Sequence, residues 1–174
     1  MSPLAPGYDL RATRAGDIAA LPLIERNAAE LYWSIDLWEP PFEGVHSLGE
    51  HRVAVDAGIS WLVTHDETPC AFALGAVFDG HLHLHELAVE PAHQRRRLGT
   101  ALLEAVIDHA RWRFDPVLTL TTDRFAPWNA PFYSRHGFVI LDPGRLQPDL
   151  AAVMELERRS GFDMSRRVAM AKVL

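Results

Sequence analysis

A chain of 174 residues, 48 % apolar and 23 % charged, reads as a single globular domain over 1–174 with enough length to bury a proper core. A formal net charge of −6 disfavours nucleic acid as a partner, and no apolar run approaches membrane-spanning length. The single cysteine, Cys70, excludes an internal disulfide; with no charged segment and apolar run at the start, a cytoplasmic protein is expected.

Residues 8–14 alternate and read as a first strand. Asp17 is placed to cap a helix with apolar positions at Ile18, Leu21, Ile24, Ala28 and Leu31, kinked or begun at Pro22. Residues 32–47 form a loop rich in aromatics, and a short helix follows over 48–57. Strands are expected over 59–65 and 70–78 with a turn at 66–69, and Cys70 is expected as a buried structural thiol. Asp79-Gly80 signals a tight hairpin into a strand over 81–89, which Pro91 ends. From Leu98 the spacing becomes helical, through Ala101, Leu102, Ala105 and Val106, and predicts a helix over about 98–113. A strand over 117–122 should lie parallel to 81–89, with a right-handed crossover. A short helix within 127–138, closed by Gly137, a strand from Val139, a helix over 149–159 and a last strand over 166–174 complete the chain. The fold class is therefore α/β, on a mixed, mostly antiparallel sheet containing one parallel strand–helix–strand unit.

Between that strand and that helix stands Gln94-Arg-Arg-Arg-Leu-Gly-Thr100. A strand feeding a glycine-containing turn that opens a helix offers free backbone N–H groups and the positive end of the helix dipole. Three consecutive arginines add positive charge in an acidic chain. The local physics asks for a phosphate-bearing ligand, yet the loops GxxxxGK(S/T) and GxGxxG are both absent.

The segment, preceded by Leu87-Ala-Val-Glu-Pro91, resembles the acetyl-CoA pyrophosphate loop of the GNAT N-acetyltransferase superfamily. Gln94 and Gly99 match that pattern, whereas Arg97 stands where its first glycine is usual. If the position requires a left-handed backbone, an arginine there costs about 1–2 kcal/mol; as a first helical residue it costs nothing. A second segment, Asn129-Ala-Pro-Phe-Tyr133 with Gly137-Phe138 after it, resembles a further signature of the same family. The resemblance implies the GNAT fold and transfer of an acetyl group from acetyl-CoA, without a metal, to a primary amine of a small molecule or peptide terminus. It implies that the pyrophosphate meets Gln94, Arg95, Arg96, Arg97, Leu98, Gly99 and Thr100. The pantetheine arm then meets the backbone of Leu87, Ala88 and Val89, together with Asn129 and Phe132. Tyr133 is implied as the proton donor to the leaving sulfur.

The chemistry sets its own requirements. A free alkylamine has a pKa near 10.4 and must lose a proton before it attacks a thioester, while a phenol keeps its proton at neutral pH and can give it to a departing thiolate. Glu86, interrupting an apolar strand just before the loop, is the best candidate base, directly or through water; it also fits a solvent-facing or arginine-paired residue. Tyr133 equally fits a core aromatic, and Asn129 a helix cap. Acceptor recognition falls to Trp33, Asp36, Trp38, Glu39 and Phe42 in the aromatic loop, with Trp128 as a further wall; the loop equally fits one that packs itself down with its own aromatics. His81, His83 and His85 share one strand face; no carboxylate or cysteine shares their parity, so half-exposed polar positions are expected, with His85 lining the acceptor channel. A homodimer is compatible with this reading. A catalytically silent acyl-CoA sensor and an acyltransferase acting on hydroxyls are the alternatives.

Overall fold

The computed structural model describes residues 4–35 and 45–174. Among the described residues seven strands belong to one mixed sheet, and contacts gather the chain into two compact units: residues 1–75 with 86–108, and residues 76–85 with 109–174. Among the described residues no helix is long and apolar enough to cross a membrane.

In the first unit β1 (Tyr8–Ala12) pairs antiparallel with β2 (Ser60–His65), and β2 with β3 (Thr68–Phe78). Every residue of β2 from Ser60 to Thr64 is buried, the continuous pattern of a strand covered on both faces. The register slips between Val63 and Thr64, which pair with Ala71 and Pro69, and Cys70 is the extra residue of the bulge. The bulge explains how Pro69 can lie inside a strand that was expected to begin one residue later. Asp66 and Glu67 both take positive φ, 47° and 67°, so the turn needs only two residues. Cys70 is buried as expected, its thiol donating to the carbonyl of Val63 at 3.5 Å.

Asp17 caps a 3₁₀ turn over Ala15–Ala20 rather than an α-helix: its carboxylate accepts from the N–H of Arg14 at 2.7 Å and pairs with Arg11 at 2.7 Å. The α-helix α1 (Leu21–Ala29) begins one residue before Pro22, which sits in the first turn, where its missing N–H has no intrahelical partner to lose. α2 (Leu48–Asp56) starts on a reciprocal cap, in which Ser47 Oγ accepts from Glu50 N at 3.2 Å and the Glu50 carboxylate accepts from Ser47 N at 2.7 Å.

β4 (His81–Val89) passes from the second unit into the first, and α3 (Leu98–Trp112) returns the other way. In the second unit β4 pairs parallel with β5 (Val117–Asp123) at His83↔Thr119 and Leu84↔Leu120. β5 pairs antiparallel with β7 (Arg167–Val173), and β7 with the short β6 (Val139–Ile140). The helices α4 (Ala130–Arg135) and α5 (Pro148–Arg159) complete the unit. Asp79 and Gly80 form the expected hairpin turn with φ of 51° and 81°. Asp79 also caps α5: its carboxylate accepts from Asp149 N at 3.1 Å and Leu150 N at 3.2 Å, while Asp149 accepts from Asp79 N at 2.8 Å.

The histidines of β4 depart from expectation. His81 and His83 are buried and only His85 is half-exposed. Parity tells which residues share a face, not whether that face is covered. His83 is wholly enclosed, its Nδ1 lying 2.9 Å from Thr119 Oγ1, and burial takes its pKa down to about 3. It is a neutral core group.

Gly137 follows α4 with φ of +87°, and a Cβ placed there would lie 2.7 Å from Lys172 Nζ, which donates to the His136 carbonyl at 2.9 Å. Gly137→Ala should therefore lower stability by about 1–3 kcal/mol in a denaturant melt, through left-handed strain and the displaced lysine. An unchanged midpoint would show that the lysine moves aside freely and that the turn relaxes.

Candidate active site

The first unit carries the loop. β4 runs on through Glu86, Leu87, Ala88 and Val89, beyond its last parallel partner at Leu84, and of these four only Ala88 is buried. A 3₁₀ turn over Pro91–His93 follows, then Gln94 to Arg97. Side-chain and backbone bonds hold this turn in place. Asn27 of α1 donates to the Glu90 carboxylate at 3.0 Å, Glu90 N donates to the Cys70 carbonyl at 3.0 Å, and Gln94 Nε2 donates to the Val89 carbonyl at 3.2 Å. The Gln94 side chain thus braces the loop against its own strand. Arg96 lies over the ring of Tyr8 at 5.9 Å, and the Tyr8 hydroxyl meets His93 Nδ1 at 2.9 Å.

Arg95 and Arg97 take left-handed φ of 59° and 64°. Arg97 is therefore not the first helical residue; its carbonyl accepts from Ala101 N at 3.0 Å, and α3 starts at Leu98. A non-glycine residue held there stores about 1–3 kcal/mol, the kind of strain that concentrates at ligand clamps. Successive left-handed and helical residues turn their N–H groups into one concavity suited to an anion. The N–H groups of Leu98, Gly99 and Thr100 donate to no acceptor among the described residues, and the three arginine side chains around them are exposed.

Beside the loop stands a cluster that sequence reasoning missed. Glu86 accepts from Leu87 N at 2.9 Å, and one of its carboxylate oxygens, one of Glu25 in α1 and one ring nitrogen of His46 all lie within 4.8 Å of one another. Glu25 is 5 % exposed; it accepts from the His46 N–H at 3.2 and 3.1 Å and from His46 Nδ1 at 2.9 Å. Burial works against charge on His46, but the bond to Glu25 and the charges of Glu25, Glu86 and Glu50 outweigh it and raise the pKa to about 9. A protonated imidazole supplies the positive charge that two carboxylates so close together need, in the place a cation would take. One signal for this cluster was visible: Glu25 falls in the buried stripe Leu21, Ile24, Ala29 of α1, where an unpaired acid would be costly.

The second unit carries α4. Asp123, at the end of β5, organises the approach: Oδ1 accepts from Phe125 N and Ala126 N, both at 2.7 Å, and Oδ2 from Arg166 Nε at 2.8 Å. Burial pushes the Asp123 carboxyl up, but Arg166 and the two N–H groups hold it below its ordinary value. This stabilisation is full above the ordinary carboxylate range and lost as pH falls through the lowered folded value. Asp123→Ala should flatten the acid limb of a plot of melting temperature against pH; a limb identical to wild type would remove Asp123 from the account.

Asn129 is buried and makes no side-chain capping bond to α4, so the helix-cap alternative is set aside. Its carbonyl accepts from Tyr133 N at 3.0 Å. Tyr133 is 8 % exposed, its ring edge-on to Phe132 at 5.1 Å and to Phe138 at 5.8 Å. His85 lies 6.1 Å from Phe78, ring to ring. Of the acceptor-loop residues, Trp33 lies in a 3₁₀ turn over Glu30–Ile35, while Asp36, Trp38, Glu39 and Phe42 fall outside the described residues.

The sequence profile of the Acetyltransferase (GNAT) family matches residues 26–138, well over half of the chain and a span that includes Glu86, the arginine loop, Asn129 and Tyr133. The chain belongs to the GNAT acetyltransferase family. Solved structures agree with this GNAT chain in fold. PaiA N-acetyltransferase from Thermoplasma acidophilum, in complex with coenzyme A, superposes with a TM-score of 0.72 at 15 % identity, over 96 % of this chain and 99 % of that one. Arabidopsis thaliana Naa50, in complex with the bisubstrate analogue CoA-Ac-MVNAL, gives 0.69 at 13 % identity, over 97 % and 99 %. N-acetylglutamate synthase from Neisseria gonorrhoeae, complexed with coenzyme A and N-acetyl-glutamate, gives 0.72 at 19 % identity, over 96 % of this chain and 35 % of that one. As a GNAT acetyltransferase, this protein is an enzyme of acetyl-CoA-dependent acetyl transfer. The first turn of α3, with unused N–H groups beneath exposed arginines, has the donors that a pyrophosphate requires.

Proposed function

We propose that this GNAT enzyme transfers acetyl from acetyl-CoA to a primary amine of a small molecule or peptide terminus, by direct attack of the amine on the thioester. The observation that carries the reading is the left-handed pair Arg95 and Arg97 opening α3 onto unused N–H groups. In this reading Arg95, Arg96 and Arg97 with the N–H groups of Leu98, Gly99 and Thr100 hold the pyrophosphate, and Gln94 keeps the loop in shape. The backbone of Leu87, Ala88 and Val89, with Asn129 and Phe132, receives the pantetheine arm. Glu86 takes the proton of the incoming amine, and Tyr133 supplies one to the departing sulfur. His85 and the aromatic loop that includes Trp33, Asp36, Trp38 and Phe42 select the acceptor. The ligands named for the Arabidopsis and Neisseria proteins, a peptide analogue and an acetylated amino acid, support both acceptor classes.

Calorimetric titration with acetyl-CoA tests the loop without knowledge of the acceptor. Micromolar binding that is lost with fragments lacking the phosphates is expected, followed by thiol release on screening amines and short peptides. Absence of binding at millimolar acetyl-CoA would overturn the loop assignment. Tight binding with no transfer to any amine is the outcome of an acyl-CoA sensor.

A further inference from the structure

We propose that His46, clamped by Glu25, is a positioning residue that orients Glu86 and keeps its carboxylate ionised to receive the proton of the acceptor ammonium. The inference rests on the reading of Glu86 as the base. In the step it serves, an N–H bond of the ammonium breaks and an O–H bond forms on Glu86. The proton moves without change of oxidation state, and a neutral amine is left to attack.

The geometry separates this arrangement from an ordinary ion pair. Glu25 spends both oxygens on His46, taking its backbone N–H and its Nδ1, so that chain and ring are held together at one point. The following residue, Ser47, starts α2 with its reciprocal cap, which anchors the segment from the other side. Glu86 joins this fixed ring through polar atoms within 4.8 Å, while its own Oε1 is held by Leu87 N at 2.9 Å. Unlike the buried Glu25, Glu86 is half-exposed, in the strand segment that leads into the arginine loop.

Among the described residues, His46 is the imidazole bonded directly to the buried Glu25. From α1 comes Glu25; from α2 come Glu50, which adds negative potential, and His51. His51 is wholly enclosed, its Nε2 is 3.9 Å from the Glu25 carboxylate, and burial lowers its pKa, which makes it neutral. From β4 come Glu86 and His85, a ring nitrogen of which lies within 4.8 Å of ligand atoms of both His46 and Glu50. The imidazolium bonded to Glu25 and close to Glu86 is His46. It opposes protonation of Glu86 at neutral pH and fixes where the carboxylate points.

The test needs no acceptor. In full-length protein labelled with ¹³C-glutamate, with the Glu86 carboxyl resonance assigned by its loss in Glu86→Gln, that resonance is followed against pH. His46→Gln should move the pH at which Glu86 takes up its proton upward by about one to three units, whereas His46→Lys, which restores a positive charge, should bring it back. In wild type the same resonance should show a second inflection near pH 9, where His46 loses its charge. That measurement stands even if the variants do not fold. A Glu86 curve that is unmoved in His46→Gln, or a wild-type curve without the alkaline inflection, overturns the proposal. Failure of the underlying reading looks different: Glu86→Gln would then release thiol from acetyl-CoA at the wild-type rate with the amines that the screen identifies.

Discussion

Tyr133→Phe is expected to lower kcat by about tenfold or more while leaving the affinity for acetyl-CoA almost unchanged. The substitution removes one oxygen and keeps the ring. Because that ring is buried edge-on against Phe132 and Phe138, its packing should hold α4 in place without the hydroxyl. A loss of rate then reports on the proton and not on the helix. The effect should fall on kcat because a proton is needed only as the carbon–sulfur bond breaks, whereas the ground-state complex is held by phosphate and amide contacts elsewhere. Rapid-mixing measurement of thiol release separates the chemical step from product departure. If that step runs at the wild-type rate, Tyr133 is a core aromatic and the departing thiolate takes its proton from water.

Reversing charge at both Arg95 and Arg96, to glutamate, should weaken acetyl-CoA binding by about a hundredfold. A hydrogen bond to a charged group contributes about 1.5–3 kcal/mol, and about 1.4 kcal/mol is tenfold in affinity. Both side chains are exposed, so screening by water and salt places each at the lower end of that range. The reversed residues also repel the phosphates, which offsets part of the screening. The difference between variant and wild type should shrink as ionic strength rises, which calorimetry at low and high salt would display. Arg97→Gly is the informative contrast. Glycine removes the left-handed strain but also a charge, so affinity kept in that variant would assign the work of this position to backbone shape. Unchanged affinity in the double reversal would mean that the pyrophosphate lies elsewhere.

The elements that frame the site were legible because each is written locally. The apolar spacing from Leu98 through Val106 encodes α3, and Asp79-Gly80 encodes the turn that starts β4. The parallel pairing of β4 with β5 followed from the helix that must connect them. What escaped depends on partners distant in sequence. The bulge at Cys70 exists only against β2, and the burial of His83 only against β5. The pairing of Glu25 with His46 spans 21 residues and joins a helix face to a loop, which no periodicity records. At Arg97 the residue type argued against a left-handed backbone, and the backbone took it nonetheless. Local preference yielded there to the shape of the loop.

The bulge that shelters Cys70 has a practical consequence. Every turnover of this enzyme liberates a free thiol beside a protein whose only cysteine is buried and pushed up to about 11 by burial and by the nearby Glu90 charge. At neutral pH that sulfur holds almost no thiolate, and thiolate is the form that exchanges with disulfides. The enzyme is thereby protected from capture as a mixed disulfide with its own product when CoA becomes oxidised. A chromogenic thiol reagent added to the folded protein should accordingly register the released coenzyme and leave Cys70 silent until the chain is unfolded.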